Sequence, residues 1–264
     1  MIVLQQSFHD EELLLNAFPK RIVSLVPSMS ESFLHMGGLL VGRTSFCIEP
    51  KSMVASIPAV GGTKTPSLSK ILALKPDLIL ANQEENLREH VETLSKDVPV
   101  WVSFPQTVSE SLAVLHQMKQ LVQNRQHAQE RIAELEDFLT MRKDHSFRPK
   151  VAVAIWKNPW MFAGKDTYIS HVVEASGGET VIQERRYPTM DIEDCLSLEP
   201  DLVILPSEPY AFGHQDQIEL QQVCADRQIN VACFCGEDLT WPGLRLANAM
   251  RSLQTLFVSC RSSG

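Results

Sequence analysis

The sequence lacks the features that mark several large classes of protein. No stretch approaches the roughly 18 consecutive apolar residues that a membrane-spanning helix needs. Acidic residues outnumber basic ones by 32 to 24, which gives a formal charge of −8 over 264 residues. Nucleic-acid binding would require a basic face. We therefore expect neither direct membrane insertion nor a nucleic-acid partner.

Common motifs of catalysis and metal binding are also missing. The chain has no P-loop, no dinucleotide fingerprint, no Gly-x-Ser-x-Gly element and no His-Glu-x-x-His pair. Its six cysteines include no Cys-x-x-Cys motif, and we interpret the closest two, Cys233 and Cys235, as small buried side chains. These absences favour a binding protein over an enzyme, with no cofactor required.

The N-terminal stretch does not have the pattern of an export signal. Such a signal combines a basic start, an apolar run of roughly 7–15 residues and a cleavage site of small residues. Here no basic residue precedes Lys20, and the apolar start stops at Gln5, soon followed by acidic residues. The sequence as written predicts a cytoplasmic protein, and a true start further upstream would predict a periplasmic one.

An internal repeat is the clearest feature that is present. Leu72-Ala-Leu-Lys-Pro-Asp-Leu-Ile-Leu80 is echoed 124 residues later by Leu196-Ser-Leu-Glu-Pro-Asp-Leu-Val-Ile204. Each copy predicts the end of a helix, a break at Pro76 or Pro200, and a buried strand. A second apolar strand opens each half. Alternating strands and helices predict a parallel sheet in each half.

The segment between the halves contains neither Gly nor Pro from Thr107 to Phe147. Its apolar residues recur at helical spacings, which predicts one long amphipathic helix. The expected organisation is an N-terminal α/β lobe over residues 1–105, a connecting helix over residues 106–146 and a C-terminal α/β lobe over residues 147–264.

The stretch Pro19-Lys-Arg-Ile-Val-Ser-Leu-Val-Pro-Ser-Met-Ser-Glu31, with Gly37-Gly38 and Val41-Gly42 after it, resembles the opening of the helical-backbone substrate-binding proteins of ABC importers. The resemblance extends from about residue 19 to the C-terminus and is greatest to the branch that binds vitamin B12. It implies an α/β fold of two Rossmann-like lobes with parallel sheets, joined by one long backbone α-helix, as in class III periplasmic binding proteins.

The resemblance also implies a ligand and a site for it. The expected ligand is a corrinoid such as cobalamin or cobinamide, or another metal chelate such as haem or a ferric siderophore, held in the cleft between the lobes by a monomer. Aromatic and polar contacts of the family fall on positions in the loops that follow predicted strands: Phe46, Trp156, Tyr187, Glu237 and Trp241. Gly61 and Gly62 would let the backbone approach a ligand closely.

Docking to an ABC permease is implied by a further match. The family places one surface glutamate on each lobe, and these match Glu193 on the second lobe but Ser69 on the first. The disulfide of the family is missing, since one of its positions is Ser176.

Two alternatives to a receptor for a metal chelate stay open. Cys47 and Glu49 lie in one loop and are weak candidates for ligating a metal ion. A cytoplasmic enzyme on the same two-lobe scaffold would require Cys47, or Glu49 with Glu237, to converge in one pocket with shifted pKa values.

Overall fold

The computed structural model describes residues 1–7, 12–140 and 147–261, and the chain divides into two compact units. The first comprises Met1–Pro105, Ser109–Phe138 and Pro242–Leu244. The second comprises Gln106–Val108, Leu139–Trp241 and Arg245–Gly264. Each unit combines helices with a mainly parallel sheet, which confirms the prediction of two α/β lobes.

The first unit is built on a four-stranded parallel sheet with the order β4-β3-β5-β6, beside a two-stranded antiparallel sheet of β1 and β2. Its elements in chain order are β1 (Ile2–Gln5), β2 (Glu12–Leu15), β3 (Ile22–Ser24), α1 (Pro27–His35), β4 (Leu40–Arg43), α2 (Lys51–Val54), α3 (Leu68–Ala73), β5 (Leu78–Asn82), α4 (Arg88–Leu94), β6 (Val100–Ser103), α5 (Val108–Met118), a 3-10 turn (Lys119–Leu121) and α6 (Arg125–Thr140).

The second unit is built on a sheet with the order β11-β10-β7-β8, in which the short β9 also pairs with β7. All of these pairs are parallel except β7 with β8. The elements are β7 (Lys150–Trp156), β8 (Met161–Phe162), α7 (Tyr168–Ala175), β9 (Glu179–Thr180), α8 (Ile192–Ser197), β10 (Leu202–Pro206), α9 (His214–Val223), β11 (Asn230–Phe234), α10 (Gly236–Thr240) and α11 (Leu246–Arg261).

The internal repeat is present in the structure residue by residue. Helices α3 and α8 have the same length and lie 124 residues apart, as do strands β5 and β10. The residue before each proline has a positive φ, 49° at Lys75 and 51° at Glu199. The repeated Pro-Asp sequence therefore fixes the same turn in both units.

A repeated aspartate explains why this turn is stable. The Asp77 carboxylate accepts the backbone N–H groups of Lys20 and Arg21, each at 2.8 Å. The Asp201 carboxylate accepts the N–H of Lys150 at 2.6 Å. Each carboxylate thereby holds the chain at the start of a central strand of its sheet, β3 or β7, with hydrogen bonds to a charged acceptor.

The prediction of one long helix between the lobes is wrong. The described part of this segment forms α5 and α6, separated by the 3-10 turn and by residues 122–124, while residues 141–146 lie outside the described part of the chain. Val122 is extended, with φ −108° and ψ 149°. The helix therefore stops and restarts without a glycine or a proline.

Asn124 is the physical reason for the restart. Its side-chain Oδ1 accepts the N–H of His127 at 3.0 Å, and its backbone carbonyl accepts the N–H of Ala128 at 3.2 Å. This is the hydrogen bonding of an N-cap, a position that asparagine favours because it satisfies an otherwise unpaired donor. Asn124 therefore begins a new helix rather than continuing the old one.

Helices α5 and α6 pack against each other as an antiparallel hairpin on the first unit. His116 Nε2 lies 2.9 Å from Glu136 Oε1, and Lys119 Nζ donates to Gln129 at 2.6 Å. Both pairs connect the C-terminal end of α5 and the turn after it with α6. The apolar side of each helix faces the rest of the unit, with Leu115 of α5 and Ile132 and Leu135 of α6 buried.

Strand β1 also belongs to the first unit. Leu4 is fully buried, and the indole Nε1 of Trp101 donates to the carbonyl of Gln5 at 2.9 Å. Ser7 donates its N–H to Val102 at 3.1 Å, beside the edge strand β6. Residues 2–7 therefore cover an otherwise open edge of the sheet.

The interpretation of Cys233 and Cys235 as buried is wrong, because both side chains are exposed at the carboxyl end of the edge strand β11. All six cysteines are free thiols. Among the helices of the described residues, none has the length and apolar character needed to cross a bilayer.

Candidate functional site

The loops at the carboxyl ends of the first unit's strands bring three of the predicted residues together. Ser45 donates its N–H to the carbonyl of Gly61 at 2.8 Å, joining the loop after β4 to the following turn. A Cβ atom placed on Gly62 would lie 3.3 Å from the Phe46 ring, so this ring lies over Gly62. The Phe46 side chain is 59% exposed and offers an aromatic surface.

Gly61 is required by the shape of this turn. Its φ is +115°, and a Cβ atom at this position would lie 2.7 Å from the Thr65 carbonyl oxygen. No other residue type adopts this conformation without strain. Gly61 therefore has a structural reason to be glycine, and its contact with a ligand stays a prediction.

A buried asparagine that the sequence analysis missed braces the same edge. Asn86 donates from Nδ2 to the carbonyls of Leu25, at 3.2 Å, and Thr63, at 3.1 Å, and its Oδ1 accepts the N–H of Asn82 at 2.9 Å. These bonds tie together the loops after β3, α2 and β5. In the sequence, Asn82 and Asn86 follow the apolar run at 78–81, and this position could have indicated them.

Cys47 and Glu49, the weak candidates for metal ligands, have local partners. The Cys47 sulfur is buried between the hydroxyls of Ser30 and Thr44, each at 3.1 Å, and burial raises the pKa of its thiol. Glu49 accepts the N–H of Lys51 at 3.2 Å. Within the described residues, no group of three or more His, Cys, Asp or Glu side chains could hold a metal ion.

Four aromatic side chains at the carboxyl edge of the second unit form what we call the aromatic wall: Trp156, Trp160, Tyr210 and Phe212. Trp156, the last residue of β7, is 42% exposed and meets Tyr210 edge to face, with ring centroids 5.2 Å apart. Tyr210 packs on Phe212 at 4.5 Å, and Phe212 stacks on Trp160 at 5.8 Å. Of these four side chains, only Trp156 was predicted from the sequence. Tyr210 and Phe212 lie in the loop that follows β10, and their position after a predicted strand could have indicated them.

Lys157 anchors the turn that carries Trp156. Its ammonium group donates to Asp216 at 2.7 Å and to Glu219 at 2.9 Å, both on α9, and lies 6.0 Å from the centre of the Trp160 ring. Asp216 also accepts the N–H of Gly213 at 3.0 Å and so caps α9. The hydrogen bond from Lys157, then that from Gly213, lowers the pKa of the Asp216 carboxyl.

We expect Lys157→Met to lower the free energy of unfolding by about 1 kcal/mol near neutral pH. A carboxyl whose pKa is lowered in the folded state stabilises that state above its ordinary pKa of 3.8, and this contribution is lost as the pH falls through the folded value. Urea denaturation between pH 3 and pH 8 measures the effect. The difference from the unmodified protein should shrink below about pH 4.

The matched control for this prediction is Lys165→Met, because Lys165 is an exposed lysine in the same unit. It should change the free energy of unfolding by less than about 0.5 kcal/mol at every pH. A Lys157→Met effect that stayed constant down to pH 3 would contradict the role given to the ion pair.

Tyr187 lies half-buried, with the guanidinium of Arg186 5.3 Å from the centre of its ring. Arg186 has a positive φ of 62° and donates its N–H to Asp166, which also accepts from Arg185 at 3.0 Å. The N–H of Arg186 is the main cause of the lowered pKa of Asp166. Asp166 therefore holds the backbone that carries Tyr187.

Trp241 offers a ligand less surface than Trp156 does, because it is only 6% exposed. The Arg245 guanidinium lies 4.8 Å from the centre of its ring and is itself paired with Asp238 at 2.7 Å. Glu237, in the same loop, accepts a hydrogen bond from the Cys235 thiol at 3.3 Å. Ligand contacts of Trp241 and Glu237 stay predictions.

Glu193, the predicted contact with a permease, lies in the first turn of α8 and is paired with Arg227 at 2.7 Å. Its side chain is 62% exposed. Ser69, which holds the equivalent place 124 residues earlier on α3, is also exposed. Docking through Glu193 stays a prediction.

Two α/β units with mainly parallel sheets and aromatic side chains at their strand ends are typical of two-lobed binding proteins. The sequence matches the periplasmic binding protein family over residues 22–222, and the chain belongs to that family. It is a ligand-binding protein of the kind that delivers substrates to transporters, as the sequence analysis predicted.

Relatives with known ligands are similar over most of the chain. The vitamin B12-binding protein of Pectobacterium atrosepticum is 26% identical over 228 residues, which is 81% of this chain and 79% of the relative. That of Yersinia pestis is 24% identical over 208 residues, which is 76% of this chain and 72% of the relative. These relatives are binding proteins rather than enzymes.

Solved structures share the fold at lower identity. The periplasmic haem-binding protein RhuT of Roseiflexus sp. RS-1 has a TM-score of 0.78 at 18% identity, and the periplasmic vitamin B12-binding protein BtuF of Vibrio cholerae has a TM-score of 0.77 at 22% identity. Each comparison covers 92% of this chain and 98% of the other.

Proposed function

We propose that this protein binds a corrinoid, or a related metal chelate with a flat macrocycle such as haem, as the substrate-binding component of an importer. The observation that carries the proposal is the exposed ring of Trp156 within the aromatic wall. A flat macrocycle needs broad, rigid apolar surfaces, and an aromatic side chain supplies about 150–250 Å² with little loss of conformational entropy.

Two further observations support the ligand class. Phe46 adds an exposed aromatic ring on the first unit, at the carboxyl ends of its strands, where ligands of open α/β sheets bind. The relatives named above bind vitamin B12, and a solved structure with the same fold binds haem. In an importer the protein would deliver its ligand to a membrane permease, with Glu193 as one docking contact.

Titration of the purified protein tests this proposal. Cyanocobalamin, dicyanocobinamide, haemin and a ferric siderophore are added separately, and binding is followed by calorimetry and by the absorbance of the chelate. We expect cyanocobalamin, dicyanocobinamide or haemin to bind in a 1:1 complex with a Kd of about 1 μM or below, which corresponds to about −8 kcal/mol. Failure of these three to bind, including a result in which only the ferric siderophore binds, would refute the proposed ligand class.

A further inference from the structure

Tyr210 is the aromatic neighbour that holds the exposed ring of Trp156. The planes of the two rings are 75° apart, an edge-to-face contact, and their centroids are separated by 5.2 Å. Edge-to-face pairs are favoured because the positive edge of one ring meets the negative face of the other. Such a contact restricts rotation of the partly exposed indole about its side-chain bonds.

Tyr210 is itself held in place by packing against other side chains of its unit. Its ring packs on Phe212 at 4.5 Å, and Phe212 is buried and stacks on Trp160 with an angle of only 11° between the rings. The loop that carries Tyr210 is tied to α10, because Ser207 Oγ accepts the N–H of Gly236 at 2.9 Å and Glu208 accepts a hydrogen bond from Thr240. The part of the loop just before Tyr210 is therefore anchored to α10.

Trp156 is anchored from a different direction. Its backbone pairs with Met161 in the β7–β8 ladder, and the next residue, Lys157, is bound to α9 through Asp216 and Glu219. The ladder and the ion pairs fix its backbone, whereas Tyr210 supplies an aromatic contact for its side chain.

We propose that Tyr210 is a positioning residue that sets the orientation of the Trp156 ring before the ligand arrives, so that this ring presents a preorganised surface to the flat face of a conjugated macrocycle. This inference rests on the proposed function. Preorganisation raises affinity because the ring has less side-chain freedom to lose on binding. It also predicts that Tyr210 acts on binding through Trp156.

The test is a double-substitution cycle on the full chain, with cyanocobalamin, dicyanocobinamide and haemin as probes. Tyr210→Leu alone should weaken the affinity of the tightest probe by about two- to tenfold, the range expected from an aromatic pair. Tyr210→Phe keeps the ring and should restore the affinity to within about twofold. In a Trp156→Ala background, Tyr210→Leu should have no further effect on affinity.

A merely structural role of Tyr210 gives a different result, because a displaced loop would weaken binding equally in both backgrounds. Equal losses, or no loss with Trp156 present, would overturn the inference. Near-ultraviolet circular dichroism of each variant provides an independent readout, since loss of the ring contact should reduce the tryptophan signal while the unfolding midpoint stays within a few degrees. If the unmodified protein binds none of the three probes, the proposed function fails rather than this inference.

Discussion

Replacing Trp156 with alanine should weaken binding of the metal chelate by about 30-fold or more, which corresponds to about 2 kcal/mol. Trp156 is the most exposed member of the aromatic wall and stands at the end of a central strand, where the scaffold is rigid. An aromatic ring that covers a flat ligand loses its whole contact area when it is truncated. Calorimetric titration of the variant measures the effect directly.

The matched control is Leu39→Ala. Leu39 is a large apolar side chain, 76% exposed, and it lies just before β4, at the end of the sheet opposite the proposed site. It should leave the affinity within twofold of the unmodified protein. Trp156→Phe keeps an aromatic face and should recover most of the loss. If Trp156→Ala and Leu39→Ala have the same affinity, Trp156 does not contact the ligand.

Replacing Gly243 with alanine should destabilise the protein by about 2–4 kcal/mol. Gly243 has a φ of +140°, and an added Cβ atom would overlap the Ser32 hydroxyl oxygen. Ser32 is buried on α1 and its oxygen accepts the N–H of Leu244 at 3.2 Å. The methyl group would thus strain the backbone and break this hydrogen bond.

Gly213→Ala is the control, since Gly213 has a φ of −132° and no atom within 4 Å of an added Cβ. It should cost less than about 1 kcal/mol, as a change of N-cap residue does. Combining Ser32→Ala with Gly243→Ala removes the overlapping oxygen and should restore part, but not all, of the stability that Gly243→Ala loses. Urea denaturation of the unmodified protein, Gly243→Ala, Gly213→Ala and the double variant separates these effects. Equal stabilities for Gly243→Ala and Gly213→Ala would show that the 242–244 segment does not pack as described.

The repeated α/β pattern could be predicted because the information that determines it is local. A proline at position 76 or 200 ends one helix, the aspartate after it accepts nearby N–H groups, and a continuous apolar run forms the buried strand. Each of these effects acts within a few residues or on the neighbouring strand. The same sequence signals recur in the second half and produce the same turn.

The connecting segment could not be predicted in this way. The absence of glycine and proline is compatible with one helix or with two, and the choice depends on the Asn124 cap and on contacts such as that of His116 with Glu136, twenty residues apart. An N-cap within a helical pattern is a weak local signal. The energy of packing both apolar stripes onto one unit decides the outcome.

The candidate site was only partly predictable for a similar reason. The position of Trp156 at a strand end indicated an exposed aromatic side chain, and the structure places it there. The burial of Trp241 depends on Arg245, whose guanidinium covers the ring while it pairs with Asp238. A cation over an aromatic ring requires a geometry that residue spacing alone does not specify.

The paired aspartates, one in each unit, also bear on whether the two units unfold together. Each unit has its own cluster of buried apolar side chains and its own carboxylate, Asp77 or Asp201, at the start of its central strand. Each also contains an indole in contact with its apolar side chains: Trp101 is fully buried in the first unit, and Trp160 is partly buried against the cluster of the second. Fluorescence from either indole alone therefore reports the melting of one half of the molecule, and a single transition midpoint describes the whole chain only when both chromophores give the same value.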